Sequence, residues 1–211
     1  MSIVASVLEV APSDPGEAAI AQTVKVLEGG GVIALPTDTL YGIGCALDCA
    51  EAVDRIHAMR GIDAVRRPLT FLLPDLGEVA RWAKITGNSY RVLTRIFPGP
   101  YCVELGASPR VPNPYLNPER NTIGVRIPDY PLCEKILWRL GRPILTATAK
   151  ARDGQVLTTA ADINAEFGNE LDLILDAGPL SGPPSTVVSL VDDWVQILRE
   201  GRGPASRVIM T

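Results

Sequence analysis

Two stretches of this 211-residue chain place hydroxyl groups beside the end of an apolar run. The first is Pro36-Thr37-Asp38-Thr39-Leu40-Tyr41-Gly42-Ile43-Gly44, directly after the apolar Val32 to Leu35. The second is Pro184-Ser185-Thr186-Val187-Val188, which enters an apolar run after a Gly/Pro loop. Such hydroxyls donate and accept hydrogen bonds, and glycine lets a ligand come close to the backbone. The pattern suits a small polar ligand; the alternative is an ordinary polar turn. Leu145-Thr146-Ala147-Thr148-Ala149-Lys150 repeats it, with a lysine at the rim. Arginines supply the complementary charge. Arg60, Arg66 and Arg67 are close in sequence, and guanidinium groups on one loop suit triphosphate oxygens, although a solvated basic loop is equally ordinary. Arg126 ends the run Gly124-Val125-Arg126-Ile127-Pro128. If it points inward it needs an anion, whether a carboxylate, a phosphate or an internal Glu. Arg199 leaves a further apolar run in Leu198-Arg199-Glu200-Gly201.

Several other chemistries are poorly supported. The 36–44 loop lacks the Gly-Lys-Ser/Thr ending of a Walker loop, and Gly-x-Gly-x-x-Gly is absent. His57 is the only histidine, so no Ser-His-Asp arrangement is available, and beside Ile56 and Met59 it reads as a partly packed residue. No Asp/Glu/His cluster has the spacing of a tightly held metal, so the metal expectation is none; Mg²⁺ would arrive with the phosphates of a nucleotide.

The elements that must position these groups follow from pattern and punctuation. Strands are expected at Ile3–Leu8, Val32–Leu35, Leu69–Leu73, Tyr101–Leu105, Thr122–Arg126, Ile144–Ala147 and Leu171–Leu175. Ser185–Leu190 and Val195–Leu198 form a hairpin turning at Asp192-Asp193. Helices are expected at Ala18–Leu27, Glu51–Met59, Leu76–Ala83, Ser89–Ile96, Leu132–Leu140 and Ala160–Phe167. Asp14-Pro15-Gly16-Glu17 carries the signals of a helix start, with Asp14 as the cap. The interleaved order predicts an α/β (α+β) class: a single twisted mixed sheet flanked by helices, one domain over residues 1–211.

Composition narrows the setting. With 46% hydrophobic and 21% charged residues the chain is globular rather than disordered. No apolar run approaches the ~18 residues of a membrane span. Ser2 to Val10 lacks a basic start and contains Glu9, unlike a signal peptide. Four cysteines do not make a disulfide scaffold in a chain this long, so a reduced, cytoplasmic protein is expected. The net charge of −4 argues weakly against a nucleic-acid binder, but it hides a pattern. Residues 81–152 carry twelve bases and four acids, between two acidic flanks. A basic middle can focus anions into a cleft; the alternative is a set of solvated helix faces.

Taken in order, Gly29-Gly30-Gly31 through Gly44, Pro98-Gly99-Pro100, Gly124 to Pro128, Pro184 to Val188 and Leu198 to Gly201 resemble the YrdC-like family, over nearly the whole chain. The resemblance implies one twisted α/β domain with a large concave surface. It also implies threonylcarbamoyl-AMP synthase chemistry: L-threonine, bicarbonate and ATP, with Mg²⁺, give threonylcarbamoyl-AMP and pyrophosphate for tRNA modification. On that pattern Thr39 and Ser185 contact threonine, Arg126 holds its carboxylate, and Thr37 and Tyr41 shape the pocket. Thr148 stands at the Ser of the family's Ser-x-Asn element, and Arg199 faces the nucleotide phosphates. Arg60 and Arg126 are the candidate catalytic pair, and Arg60, Arg66, Lys150 and Arg199 the nucleotide contacts. The departures fall on the ATP side: Ala58-Met59-Arg60 replaces Lys-x-Arg, and Thr148-Ala149-Lys150 replaces Ser-x-Asn. Arg66 to Leu72 with Asp75-Leu76 is most similar to the YciO branch. Some members bind double-stranded RNA, so a non-catalytic module for double-stranded RNA or tRNA is the alternative, and hydrolysis of a carbamoyl adenylate is a third reading.

Overall fold

The computed structural model describes residues 5–61, 68–117 and 119–209. Among the described residues ten strands form one mixed sheet: β1 (Ser6–Glu9), β2 (Ile33–Leu35), β3 (Gly42–Ala46), β4 (Thr70–Leu72), β5 (Tyr101–Gly106), β6 (Thr122–Arg126), β7 (Ile144–Thr148), β8 (Leu173–Asp176), β9 (Thr186–Ser189) and β10 (Gln196–Arg199). Their spatial order is β1-β8-β2-β3-β7-β4-β6-β5-β9-β10. The helices are α1 (Glu17–Glu28), α2 (Ala50–Arg60), α3 (Leu76–Trp82), α4 (Gly87–Ile96), α5 (Pro131–Leu140) and α6 (Ala160–Phe167).

Strand alternation sorts residues between the two faces. Ile33 and Leu35 of β2, with Leu173 and Leu175 of β8, pack with Ile20, Val24 and Leu27 of α1 and the apolar side of α5. The intervening Ala34 and Ile174 turn to the opposite face. There they join Ile56 and Met59 of α2, Val92 and Leu93 of α4, and Ile163 and Phe167 of α6. Strands β4 to β6 obey the same alternation: Phe71, Val103 and Val125 lie in the second cluster. Their neighbours Thr70, Cys102, Gly124 and Arg126 are only partly buried, on the face that α1 and α5 cover farther along the sheet. That half-covered face positions the site.

Three expectations change. The first helix begins at Glu17 behind Gly16, whose φ of 69° suits glycine, and Asp14 does not cap it. Asp14 and Glu17 instead pair with Lys135 and Arg139 of α5, tying the two helices together. The stretch Gly42 to Gly44, read from sequence as loop, is the start of β3, paired with β2 on one side and β7 on the other. Gly44 permits that pairing: a Cβ there would stand 2.7 Å from Thr146 Cγ2 and 2.9 Å from the Leu145 carbonyl oxygen. Finally, the basic middle is largely neutralised within the protein. Among the described residues, seven of its twelve bases (Arg81, Arg120, Arg126, Lys135, Arg139, Arg142 and Arg152) pair with acids. All of those acids except Glu104 come from the acidic flanks. The hairpin of β9 and β10 is as expected, with Asp192 and Asp193 at φ 54° and 63° in its connection.

Candidate active site

A cavity of about 620 Å³ opens on the half-covered face. Its floor is the outward set of the central strands, including Thr70, Cys102, Arg126 and Thr146. Its lining continues past the Gly42 end of β3 and the Thr148 end of β7 to Ile56, Met59 and Arg60 of α2. Every described residue proposed from sequence reaches it. Thr37, Thr39, Arg126 and Ser185 are joined by the hydrogen bonds below, and Tyr41, Arg60, Thr148, Lys150 and Arg199 also line the cavity. Arg66 and Arg67 lie outside the described residues.

The hydroxyl-rich end is buried and internally wired. Thr37 Oγ1 donates to the Leu40 carbonyl at 2.7 Å and accepts from the Thr39 N–H at 3.2 Å. This closes a tight side-chain turn within the loop. The turn presents Thr39 Oγ1 toward Ser185 Oγ, 3.4 Å away across two separate loops. Arg126 Nη2 donates to Thr39 Oγ1 at 2.8 Å and to Thr37 Oγ1 at 3.3 Å. The same nitrogen pairs with Asp38 Oδ1. The strand-end arginine therefore meets an internal acid, an Asp rather than the Glu considered from sequence. Both partners are about nine-tenths buried, at 11% and 9% side-chain exposure, so the pair sits in a region where removing either leaves a costly lone charge. Arg126 Nε and Asp38 Oδ2 are buried without hydrogen-bond partners, so the pair is held but not saturated.

Tyr41 shapes this end without offering its hydroxyl. The Tyr41 hydroxyl donates to the Gly178 carbonyl at 2.8 Å and accepts from the Ala177 N–H at 3.0 Å. Burial pushes its pKa up, keeping it a neutral phenol. Cys102, which sequence reading left aside, has Sγ 3.7 Å from Thr70 Oγ1, and burial raises its thiol pKa. A protonated thiol is a poor nucleophile.

The cationic side is built differently. Thr148 and Lys150 are exposed on the stretch leaving β7, and Lys150 pairs with Val156 in an isolated bridge. Arg60 is the last residue of α2. Arg199, at the end of β10, donates from Nη2 to the Ser185 carbonyl at 2.9 Å, so it stands beside the hydroxyl-rich group. Arg152 also lines the cavity, but it pairs with Glu166 and Glu170 and lies 5.0 Å above the Phe167 ring. Its charge is already satisfied. His57, half-buried on α2, has its pKa lowered by burial first and by Arg60 second, and its Nδ1 lacks a partner. That agrees with a packed residue rather than a base. Among the described residues no three His, Cys, Asp or Glu side chains cluster as a metal site, and no helix is long and apolar enough to cross a membrane.

Asp38, the partner of Arg126, was the residue of this group most clearly missed. The signal was present: an inward arginine demands an anion, and an acid flanked by two threonines is the natural supply.

Comparison with known proteins extends the geometry. The family model Sua5/YciO/YrdC, described as Telomere recombination, matches residues 25–201. The uncharacterized protein YciO of Escherichia coli is 32% identical over 194 residues, covering 91% of this chain and 93% of its own. The crystal structure of E. coli YciO superposes with a TM-score of 0.91, at 29% identity, over 97% of this chain and 100% of that one. A putative threonylcarbamoyl-AMP synthase of Methanocaldococcus jannaschii is 26% identical over 185 residues, covering 87% of this chain and 86% of its own. P. abyssi Sua5, crystallised with L-threonine, superposes with a TM-score of 0.81 at 27% identity, over 93% of this chain and 57% of that longer one. A match running from within α1 to just past β10, on a shared fold, leaves one conclusion: this chain belongs to the Sua5/YciO/YrdC family, which includes the threonylcarbamoyl-AMP synthases.

Proposed function

We propose that the protein is a threonylcarbamoyl-AMP synthase-like enzyme of the YciO type, joining L-threonine, bicarbonate and ATP. The observation that carries this reading is a single cavity lined both by the hydroxyls with Arg126 and by Arg60, Lys150 and Arg199. A relative crystallised with L-threonine supports an amino-acid substrate. The threonine nitrogen takes up carbon from bicarbonate as a carbamate, with loss of water. A carbamate oxygen then attacks the α-phosphorus of ATP, the bond to the β-phosphate oxygen breaks, and pyrophosphate leaves.

Both reactants are anions, so positioning and charge neutralisation dominate and no side-chain nucleophile is required. Thr39 and Ser185 orient the amino acid. Arg126, pre-set by Asp38 and the two threonines, receives its carboxylate. Arg60, Lys150 and Arg199 neutralise the phosphates of ATP, which enters as its Mg²⁺ complex. Thr148 faces both substrates. Lys150 lies two residues from Thr148 and supplies charge that Ala58-Met59-Arg60 lacks relative to a Lys-x-Arg pair. The RNA-binding alternative is not favoured, because flank acids take up much of the basic middle. Mass spectrometry of a reaction containing L-threonine, bicarbonate and Mg·ATP tests the proposal. It expects threonylcarbamoyl-AMP, and its absence at high enzyme concentration refutes synthesis.

A further inference from the structure

Arg202 lies just past the family match, which ends at Gly201, and it does not line the cavity. Its side chain nevertheless joins loops that do. Nη1 donates to the Asp38 main-chain carbonyl at 2.8 Å, and Nη2 donates to the Ser181 carbonyl at 2.6 Å. Its own N–H donates to the Pro184 carbonyl at 2.8 Å. The root of the side chain is fixed as well. The Thr186 hydroxyl donates to the Gly203 carbonyl at 2.6 Å and accepts from the Gly201 N–H at 3.0 Å. Gly203 packs so tightly on Tyr101 that a Cβ there would stand 2.4 Å from a ring carbon. At the far end, a Cβ on Gly182 would come within 2.8 Å of Arg202 Nη2, so glycine leaves the guanidinium its place.

The consequence concerns Asp38 and Ser185. Asp38 is gripped twice, by Arg202 through its carbonyl and by Arg126 through its carboxylate. Ser181 and Pro184 flank the approach to Ser185, whose hydroxyl faces Thr39. We propose that Arg202 is a positioning residue: its fork sets the Thr39–Ser185 spacing and the seat of Asp38 against Arg126. It thereby tunes the amino-acid side of the cavity more than the proposed nucleotide contacts, among which Arg199 touches the braced loop through the Ser185 carbonyl. The claim for the amino acid rests on the reading under Proposed function. Arginine suits the task because one rigid planar group reaches two carbonyls, whereas a lysine ammonium is a point charge on a flexible stem.

The test compares wild type with Arg202→Ala, Arg202→Lys and Gly182→Ala. Two readouts are used: amide exchange in the ligand-free protein, and kinetics with L-threonine, L-valine and Mg·ATP. Arg202→Ala is expected to speed exchange at 37–41 and 178–185 while leaving β7 unchanged. It should raise KM for L-threonine about tenfold and erode the preference over L-valine, as a small misplacement of substrate-orienting groups does. ATP affinity, read by calorimetry, should fall by clearly less than the threonine KM rises, and added methylguanidinium should restore part of the loss. Gly182→Ala should act in the same direction more weakly, and either it or Arg202→Lys replaces Arg202→Ala if that variant does not fold. An unchanged threonine KM overturns the proposal, as does a parallel loss of ATP affinity, which would signal a merely structural role. If wild type neither binds threonine nor releases pyrophosphate, the functional reading fails, and exchange decides the brace: unchanged exchange at both loops refutes it.

Discussion

The two groups of residues that line the cavity are made by opposite strategies. In the group proposed to hold the amino acid, Thr37, Thr39, Ser185, Asp38 and Arg126 are buried and already bonded to one another. In the group proposed to meet the nucleotide, Thr148, Lys150 and Arg199 are exposed on strand ends. A buried, pre-bonded end gives geometry but little freedom, so each of its groups has a stability cost attached to its removal. An exposed rim gives charge that adapts to a flexible triphosphate and contributes little to folding. Rim positions of this kind exchange one cation for another more easily than an interlocked core does.

The largest expected effect separates the two ends. Arg126→Ala leaves Asp38 charged, buried and alone, and should destabilise the protein by about 3–5 kcal/mol in chemical denaturation. It should also remove on the order of 3 kcal/mol of transition-state stabilisation, if it acts as other preorganised donors do. Adding Asp38→Ala should recover much of the stability and none of the activity. Recovery of both would show that the guanidinium is only structural.

Lys150→Ala sharpens the contrast from the other side. It should raise KM for ATP about tenfold, as expected for a charge-assisted contact. Its melting free energy should stay within ~0.5 kcal/mol of wild type, as is usual for surface substitutions. A change in stability larger than its effect on ATP would place Lys150 in the wrong class. The same logic predicts that salt weakens ATP binding much more than threonine binding, because exposed charges are screened and buried ones are not. Titrations at low and high ionic strength read that difference directly.

The smallest effect lies on α2. The pKa of His57 is lowered from its ordinary value of 6.5 by burial and by Arg60. The unfolded chain therefore takes up this proton first as pH falls. Its influence on stability is absent above 6.5 and grows as pH drops from there toward the lowered folded-state value. His57→Gln should flatten the acid limb of a stability–pH curve, and an unaltered slope would contradict the assignment.

Sequence made the outward chemistry legible and hid the inward pairing. The hydroxyl loops and arginines stood out because their residue types are rare at the ends of apolar runs. The start of β3 did not, because Gly42 and Gly44 lack the side chains that produce an alternating pattern, and Gly44 is there to let the strands approach. Charge counting misled for a related reason. Lys135, Arg139 and Arg142 meet Asp14, Glu17 and Asp48 only after the chain has folded, so local composition could not reveal the neutralisation. The Arg126–Asp38 pair spans 88 positions and needed the sheet to bring it together, although the demand for an anion was readable.

The central claim is that one hollow brings an amino acid and a nucleotide together as two anions. Pyrophosphate release measured with purified enzyme, omitting L-threonine, bicarbonate or Mg·ATP in turn, tests it most directly. The account predicts release that requires all three and disappears in Arg126→Ala. Pyrophosphate release that ignores threonine, or none at all together with no heat of ATP binding, would contradict it.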